Sequence, residues 1–331
     1  MIISKTPYRI SFFGGGTDYP SWYLKNGGAV ISTTIDKYIY ISCRFLPSFF
    51  KHKYRIVWSH IENVNKINQI KHHSVREMLK LYNIKDGLEI HYDGDLPARS
   101  GMGSSSVFTV GLMNILNNIK NNNIKKKELA KNCINFEQKI LKETVGSQDQ
   151  IAASYGGFNK ITFEPGGKFK VSAFPIDKSK IKKLNNNLLL VYTGLKRTAH
   201  KIASDYVSKL QTSKKMNILK ISNFVYEAEQ ILKSNTLDNF GELLHESWVE
   251  KKCLSSVISN SSINNIYNDA IKNGALGGKL LGAGGGGFFL FYVPLYKQRN
   301  FKKKLKKLIT VPFKFTSEGS KIMYKNFKED N

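Results

Sequence analysis

Apolar and polar positions alternate through the first part of the chain. Residues 2–13 read as a long, broken extended stretch, and residues 29–36, 38–45 and 54–58 as further strands, because strand side chains point to opposite faces with a period of two. The period then changes. Residues 73–82 carry helical spacing, residues 88–92 alternate again, and residues 107–116 place Phe108, Leu112, Ile115 and Leu116 on one helical face behind a run of serines. Residues 127–142 predict an amphipathic helix with Leu129, Cys133, Ile134, Ile140 and Leu141 on its apolar stripe. A short helix from Ser147 to Gly156-Gly157 and strands at 158–163 and 169–174 follow. The segment 178–187 is polar and charged, so a domain boundary is expected there, dividing the chain into 1–182 and 183–331. Beyond it come a buried-type strand at 188–192, helices at 199–210, 216–234, 237–253 and 263–273, and strands at 278–281 and 288–293. Strands and helices mixed without strict alternation predict an α+β fold rather than a doubly wound sheet.

Composition narrows the class. The 331 residues, 41% hydrophobic and 23% charged, can build two substantial cores. No apolar run approaches a membrane span and the first residues lack a signal peptide's apolar core, so a cytoplasmic protein without a membrane partner is expected. Cys43, Cys133 and Cys253 are far apart and make neither a disulfide framework nor a metal pattern. The net charge of +26 comes from dispersed lysines, with no basic arm or interleaved RNA-binding aromatics. Nucleic acid is therefore not expected as a partner, whereas a basic surface does draw in small anions. Monomer and homodimer both remain open.

Three glycine-rich stretches carry the candidate chemistry. In Pro97-Ala98-Arg99-Ser100-Gly101-Met102-Gly103-Ser104-Ser105-Ser106, a strand precedes and a serine-entered helix follows. Free N–H groups and the dipole at a helix start suit a phosphate, and glycine lets backbone approach it; the same stretch also reads as an ordinary turn and cap. Near the start, Arg9 on a strand leads into Gly14-Gly15-Gly16-Thr17-Asp18-Tyr19-Pro20. Asp18 can accept from sugar hydroxyls and Arg9 can face developing negative charge, while a hairpin with an Asx-turn is the plainer reading. Glu137, and then Gly146-Ser147-Gln148-Asp149-Gln150, supply two acids: one suited to Mg²⁺, the other to the proton of an acceptor hydroxyl; the same two also read as a surface glutamate and an N-cap aspartate. Lys279-Leu280-Leu281-Gly282-Ala283-Gly284-Gly285-Gly286-Gly287 formally satisfies the dinucleotide pattern, but a strand and not a helix follows it, and no ribose-binding acid does. What remains is a strand-glycine-strand turn.

In this order the stretches resemble the GHMP small-molecule kinases, which include galactokinase, homoserine kinase and mevalonate kinase. The resemblance runs over nearly the whole chain. The Gly-Gly-Gly-Thr-Asp-Tyr-Pro form, where galactokinases carry Gly-Glu-His-Thr-Asp-Tyr, looks like the D-glycero-D-manno-heptose 7-phosphate kinases. It implies a two-domain fold, with an N-terminal domain like ribosomal protein S5 domain 2 and a ferredoxin-like C-terminal domain, and a cleft between them. It also implies ATP, Mg²⁺ and a sugar phosphate as ligands, phosphorylated at the anomeric C1 hydroxyl for nucleotide-activated heptose and surface polysaccharide; a kinase for unphosphorylated fucose or galactose is the alternative. By the same resemblance Gly101, Met102, Gly103, Ser104, Ser105 and Ser106 wrap the ATP phosphates, and Ser105 with Glu137 completes the Mg²⁺ shell. Asp149 and Arg9 stand at the acceptor hydroxyl, and Gly14, Gly15, Gly16, Thr17, Asp18, Gly284 and Gly285 contact substrate. A substrate that already carries a phosphate needs its own cation, and Arg197, in Thr193-Gly194-Leu195-Lys196-Arg197-Thr198, is the first choice.

Overall fold

The computed structural model describes residues 1–195, 199–234 and 236–326. Seven strands come first: β1 (Ile2–Phe13), β2 (Gly28–Phe45), β3 (Tyr54–Val57), β4 (Ile61–Val64), β5 (Leu88–Gly94), β6 (Phe158–Phe163) and β7 (Phe169–Ala173). A second sheet is made by β8 (Leu188–Tyr192), β9 (Gly277–Leu280), β10 (Phe288–Tyr292) and β11 (Ile309–Val311). The chain then returns to the first sheet with β12 (Phe315–Thr316) and β13 (Lys321–Lys325), giving it nine strands around the path β13-β1-β2-β5-β3-β4. The second sheet has the order β11-β8-β10-β9 and is antiparallel throughout. The fold is α+β, as its sequence implied.

β2 is one strand where the pattern suggested two. The polar pair Asp36-Lys37 interrupts the alternation, yet neighbours carry the ladder across it. β12 pairs Phe315 with Ile35, Asp36 N–H donates to Lys314 O, and the Asp36 carboxylate accepts from Lys314 N. The length of β2 lets it pair β5 at one end and β6 at the other.

The amphipathic helix expected over 127–142 also changes character. It is α-helical only over Lys126–Asn135, and Phe136–Ile140 forms a π-turn in which Leu141 N–H donates to Phe136 O. The wider turn shifts the helical phase. Phe136 and Glu137 face inward while Ile140, expected on the buried stripe, is exposed.

The expected boundary between residues 182 and 183 falls inside the helix Lys178–Asn187, which leads directly into β8. One apolar core runs under both sheets: Phe12 and Phe13 of β1 meet Phe240 of the helix Asp238–Lys252 edge-on. That contact sets the two sheets against each other and defines a cleft beside the end of β1. Among the described residues no helix is long and apolar enough to cross a membrane.

Candidate active site

The cleft holds a cavity of about 380 Å³ whose wall draws on all three glycine-rich stretches and on the segment around Asp149, including Arg9, Asp18, Gly101, Ser105, Asp149 and Lys279. At its centre Arg9, nearly buried at 4% exposure, grips Asp149 with both ends. Nε donates to Oδ1 at 2.6 Å and Nη2 to Oδ2 at 2.7 Å, while Nη1 donates to Gly101 O at 3.0 Å. One guanidinium thus ties the helix Gln148–Tyr155 to the glycine-serine loop. The fork geometry of arginine makes such a two-point contact directional as well as charged.

The glycine-serine loop is pressed against this pair. Gly103 has φ +76°, and a Cβ there would lie 3.0 Å from Asp149 Oδ2 and 3.3 Å from Arg9 Cζ. Only glycine accepts both the left-handed backbone and the contact. From Gly103 the chain enters the helix Ser104–Ile119, whose first serines, Ser104, Ser105 and Ser106, line the cavity at its N-terminus. The third glycine run buttresses the loop from behind: Phe288 N–H donates to Ser100 O at 3.1 Å.

Asp18 lies 2% exposed at the end of the first glycine turn. Its Oδ1 accepts from Gly16 N–H at 2.9 Å and its Oδ2 from Gln148 N–H at 3.3 Å, and its own carbonyl accepts from Ser147 N–H at 2.9 Å. Burial raises the pKa of its carboxyl and nearby Asp149 adds to the effect, against the backbone N–H groups that favour the charged form. Gly146 makes room for this contact, since a Cβ there would stand 1.9 Å from Asp18 Oδ2.

Glu137 is fully buried behind the loop. The hydroxyl that donates to Glu137 Oε2, at 2.8 Å, is that of Ser106, and Gln150 Nε2 donates to the same oxygen at 2.5 Å. Ser105 is instead exposed on the cavity wall. One step along a helix turns a side chain by about 100°, and here it separates the two serines onto different faces. Burial pushes the Glu137 pKa up to about 7, opposed by the hydroxyls of Thr109 and Ser106 and the amide of Gln150.

Other expected residues stand off the cavity. Thr17 closes the glycine turn, donating to Gly14 O at 2.8 Å and to Ala29 O at 3.0 Å. Gly14 packs on Ala29, and Met102 is buried in the core. Gly284 packs on Ile258, and Gly285 N–H donates to Ile258 O at 2.7 Å. Gly15 and Gly16 do line the cavity. Arg197 lies outside the described residues.

Two wall residues received no role from the sequence. Lys279, on β9, is buried at 5% exposure and donates from Nζ to Phe12 O at 2.6 Å. Burial, with the nearby charge of Arg9, pulls its pKa down to about 7. Lys251, on the helix Asp238–Lys252, donates to Leu280 O at 2.8 Å and to Gly282 O at 2.5 Å. A lysine within an otherwise apolar, glycine-bounded strand is the sequence signal that would have pointed to Lys279.

Residues 67–157 match the GHMP kinases N terminal domain and residues 228–309 the GHMP kinases C terminal domain. The chain is 30% identical to the D-glycero-alpha-D-manno-heptose 7-phosphate kinase of Campylobacter jejuni, over 97% of this chain and 98% of that protein. It is 26% identical to an L-fucokinase/L-fucose-1-P guanylyltransferase of Bacteroides fragilis, over 87% of this chain but 34% of that longer protein. Among solved structures, a D-glycero-D-manno-heptose 1-phosphate kinase from Bacteroides thetaiotaomicron shares the fold, with a TM-score of 0.80 at 22% identity over 99% of this chain and 100% of that one.

Proposed function

This chain belongs to the GHMP kinases, and on that premise we propose that it transfers the γ-phosphoryl of ATP to the anomeric C1 hydroxyl of D-glycero-D-manno-heptose 7-phosphate. The observation that carries the reading is the Arg9–Asp149 pair, set where the phosphate loop and the Asp18 turn meet in one cavity. In this reading the N-terminal helix turn at Ser104 receives the nucleotide phosphates. Asp149 accepts a hydrogen bond from the sugar hydroxyl with a lone pair that Arg9 leaves free, orienting its oxygen toward phosphorus. Loose phosphoryl transfer needs alignment and charge stabilisation more than a strong base. Asp18 takes ring hydroxyls, and Arg197 is assigned to the 7-phosphate. Residues 1–182 supply the phosphate loop and the catalytic acid, and residues 183–331 the third glycine run.

The residues present suit Mg²⁺. Glu137 is a buried carboxylate that no basic side chain pairs among the described residues, with the Ser106 hydroxyl at its side. Mg²⁺ is commonly held by one or two such hard oxygens together with waters and phosphate oxygens. Glu137 with Ser106 or Ser105 would hold it, and the ion would neutralise phosphate charge. The product, a heptose 1,7-bisphosphate, would feed nucleotide-activated heptose for surface polysaccharide, in the cytoplasm where ATP is available.

The test is an ATP-consumption assay over heptose 7-phosphate, mannose 6-phosphate, galactose, fucose and mevalonate. Turnover highest on heptose 7-phosphate supports the reading. Equal or better turnover on fucose or galactose would transfer the assignment to a kinase of unphosphorylated sugars, toward which the fucokinase relative points.

A further inference from the structure

Phosphoryl transfer builds negative charge on the oxygens of the group in transit, and preformed donors aimed at them are a large part of catalysis. Arg9 is the obvious cation, but three of its five N–H donors are already engaged by Asp149 and Gly101. A second cation on the same wall would add donors at the transfer point.

We propose that Lys279 is that cation: a further catalytic residue of this kinase, whose ammonium contacts the phosphoryl group as it passes from the nucleotide to the acceptor oxygen. Lys279 lines the same cavity as Arg9, Asp18 and Asp149, at the end of β1 where the sugar turn begins. An ammonium has three N–H donors, and Phe12 O takes one of them, at 2.6 Å. Among the described residues no acid pairs with Lys279, although it is buried. The charged neighbours on the cavity wall are the cations Arg9, Arg99 and Lys251 and the acids Asp18, Glu143 and Asp149. Arg9, the charge that acts on it, has the same sign.

A buried amine beside a second cation, with a single carbonyl partner, is costly to charge until an anion arrives. Its pKa near 7 reflects that cost, and incoming phosphate charge stabilises the ammonium form. The covalent balance stays that of the kinase reaction. The bond from phosphorus to the bridging oxygen of ATP breaks, a bond from phosphorus to the sugar oxygen forms, the hydroxyl proton leaves toward Asp149, and ADP departs. Lys279 keeps its protons and donates hydrogen bonds only. The anchor on Phe12 O fixes where it can reach, because it joins β9 of one sheet to β1 of the other.

This inference rests on the kinase reading, and the experiment separates the two. Binding of ADP with Mg²⁺ is compared with binding of ADP, Mg²⁺ and aluminium fluoride, a mimic of the phosphoryl group in transit, in wild type, Lys279→Met and Lys279→Arg. Wild type should bind the fluoride complex more tightly than ADP. Lys279→Met should keep ADP affinity within about threefold, lose at least about tenfold on the fluoride complex, and lower kcat by about 10²–10³. Lys279→Arg should recover part of both. A Lys279→Met protein that binds the fluoride complex as wild type does would overturn the proposal. So would equal losses for ADP and the fluoride complex, which would give Lys279 only a structural role. Absence of ADP binding by wild type would overturn the kinase reading and this proposal with it.

Discussion

Asp149→Ala tests the centre of the site in two currencies at once. Arg9 is 4% exposed and both Asp149 oxygens hold it, at 2.6 and 2.7 Å. Removing the carboxylate leaves a buried guanidinium with Gly101 O, at 3.0 Å, as its one acceptor among the described residues. Breaking a buried ion pair from one side costs about 3–5 kcal/mol. The Asp149 side chain is 22% exposed, so water enters the gap, and the expected loss lies at the low end, about 3 kcal/mol. In kinetics, losing the group that positions the hydroxyl should lower kcat by about 10²–10⁴, or roughly 3–5 kcal/mol of barrier. Urea unfolding followed by tryptophan fluorescence, and initial rates of ADP release, measure the two. Asp149→Asn keeps an acceptor for Nε and should be the more stable variant with a comparable loss in kcat. Adding Arg9→Met to Asp149→Ala removes the stranded charge, so the double variant should be more stable than the sum of the single losses by about 1–3 kcal/mol. An Asp149→Ala protein with an unchanged unfolding midpoint and near-normal turnover would refute both halves of the argument.

The remaining predictions follow from the residues around that pair. Glu137 has a folded pKa of about 7 against an ordinary 4.5. Its burial therefore favours the folded state while the carboxyl is protonated. That contribution is complete below pH 4.5 and is lost as pH rises through 7, amounting to about 3 kcal/mol. In Mg²⁺-free urea titrations Glu137→Gln should remove this decline, and parallel pH profiles for variant and wild type would contradict it. Gly146→Ala places a Cβ 1.9 Å from Asp18 Oδ2, so it should raise KM for the sugar at least tenfold while leaving KM for ATP within about threefold, a split that steady-state kinetics read directly. Asp18→Asn keeps the acceptor for Gly16 N–H but removes the charge, and should raise the sugar KM without unfolding the protein; unchanged KM would take Asp18 out of the sugar site.

Local signals in the sequence were enough for the parts that are themselves local. The glycine-serine loop and its helix, the start of the short helix at Asp149, the strand-turn-strand of the third glycine run, and the acid after the first run are short patterns, and each folds as its own residues direct. Their order along the chain also carried the family. Tertiary structure decided which surfaces those parts present to one another. A π-turn after Asn135, invisible in a helical pattern, brings Glu137 inward beside Ser106 rather than Ser105. The bond from Lys279 to Phe12 spans 267 positions, and β12 and β13 rejoin a sheet laid down at the other end of the chain. Periodicity reports which face of an element is apolar, but it holds no information about what the polar atoms of that face will meet. Those partners come from the packing of Phe12 and Phe13 against Phe240, which brings the two sheets together. Only then do an arginine from β1, an aspartate from a distant helix and a lysine from the second sheet share one cavity.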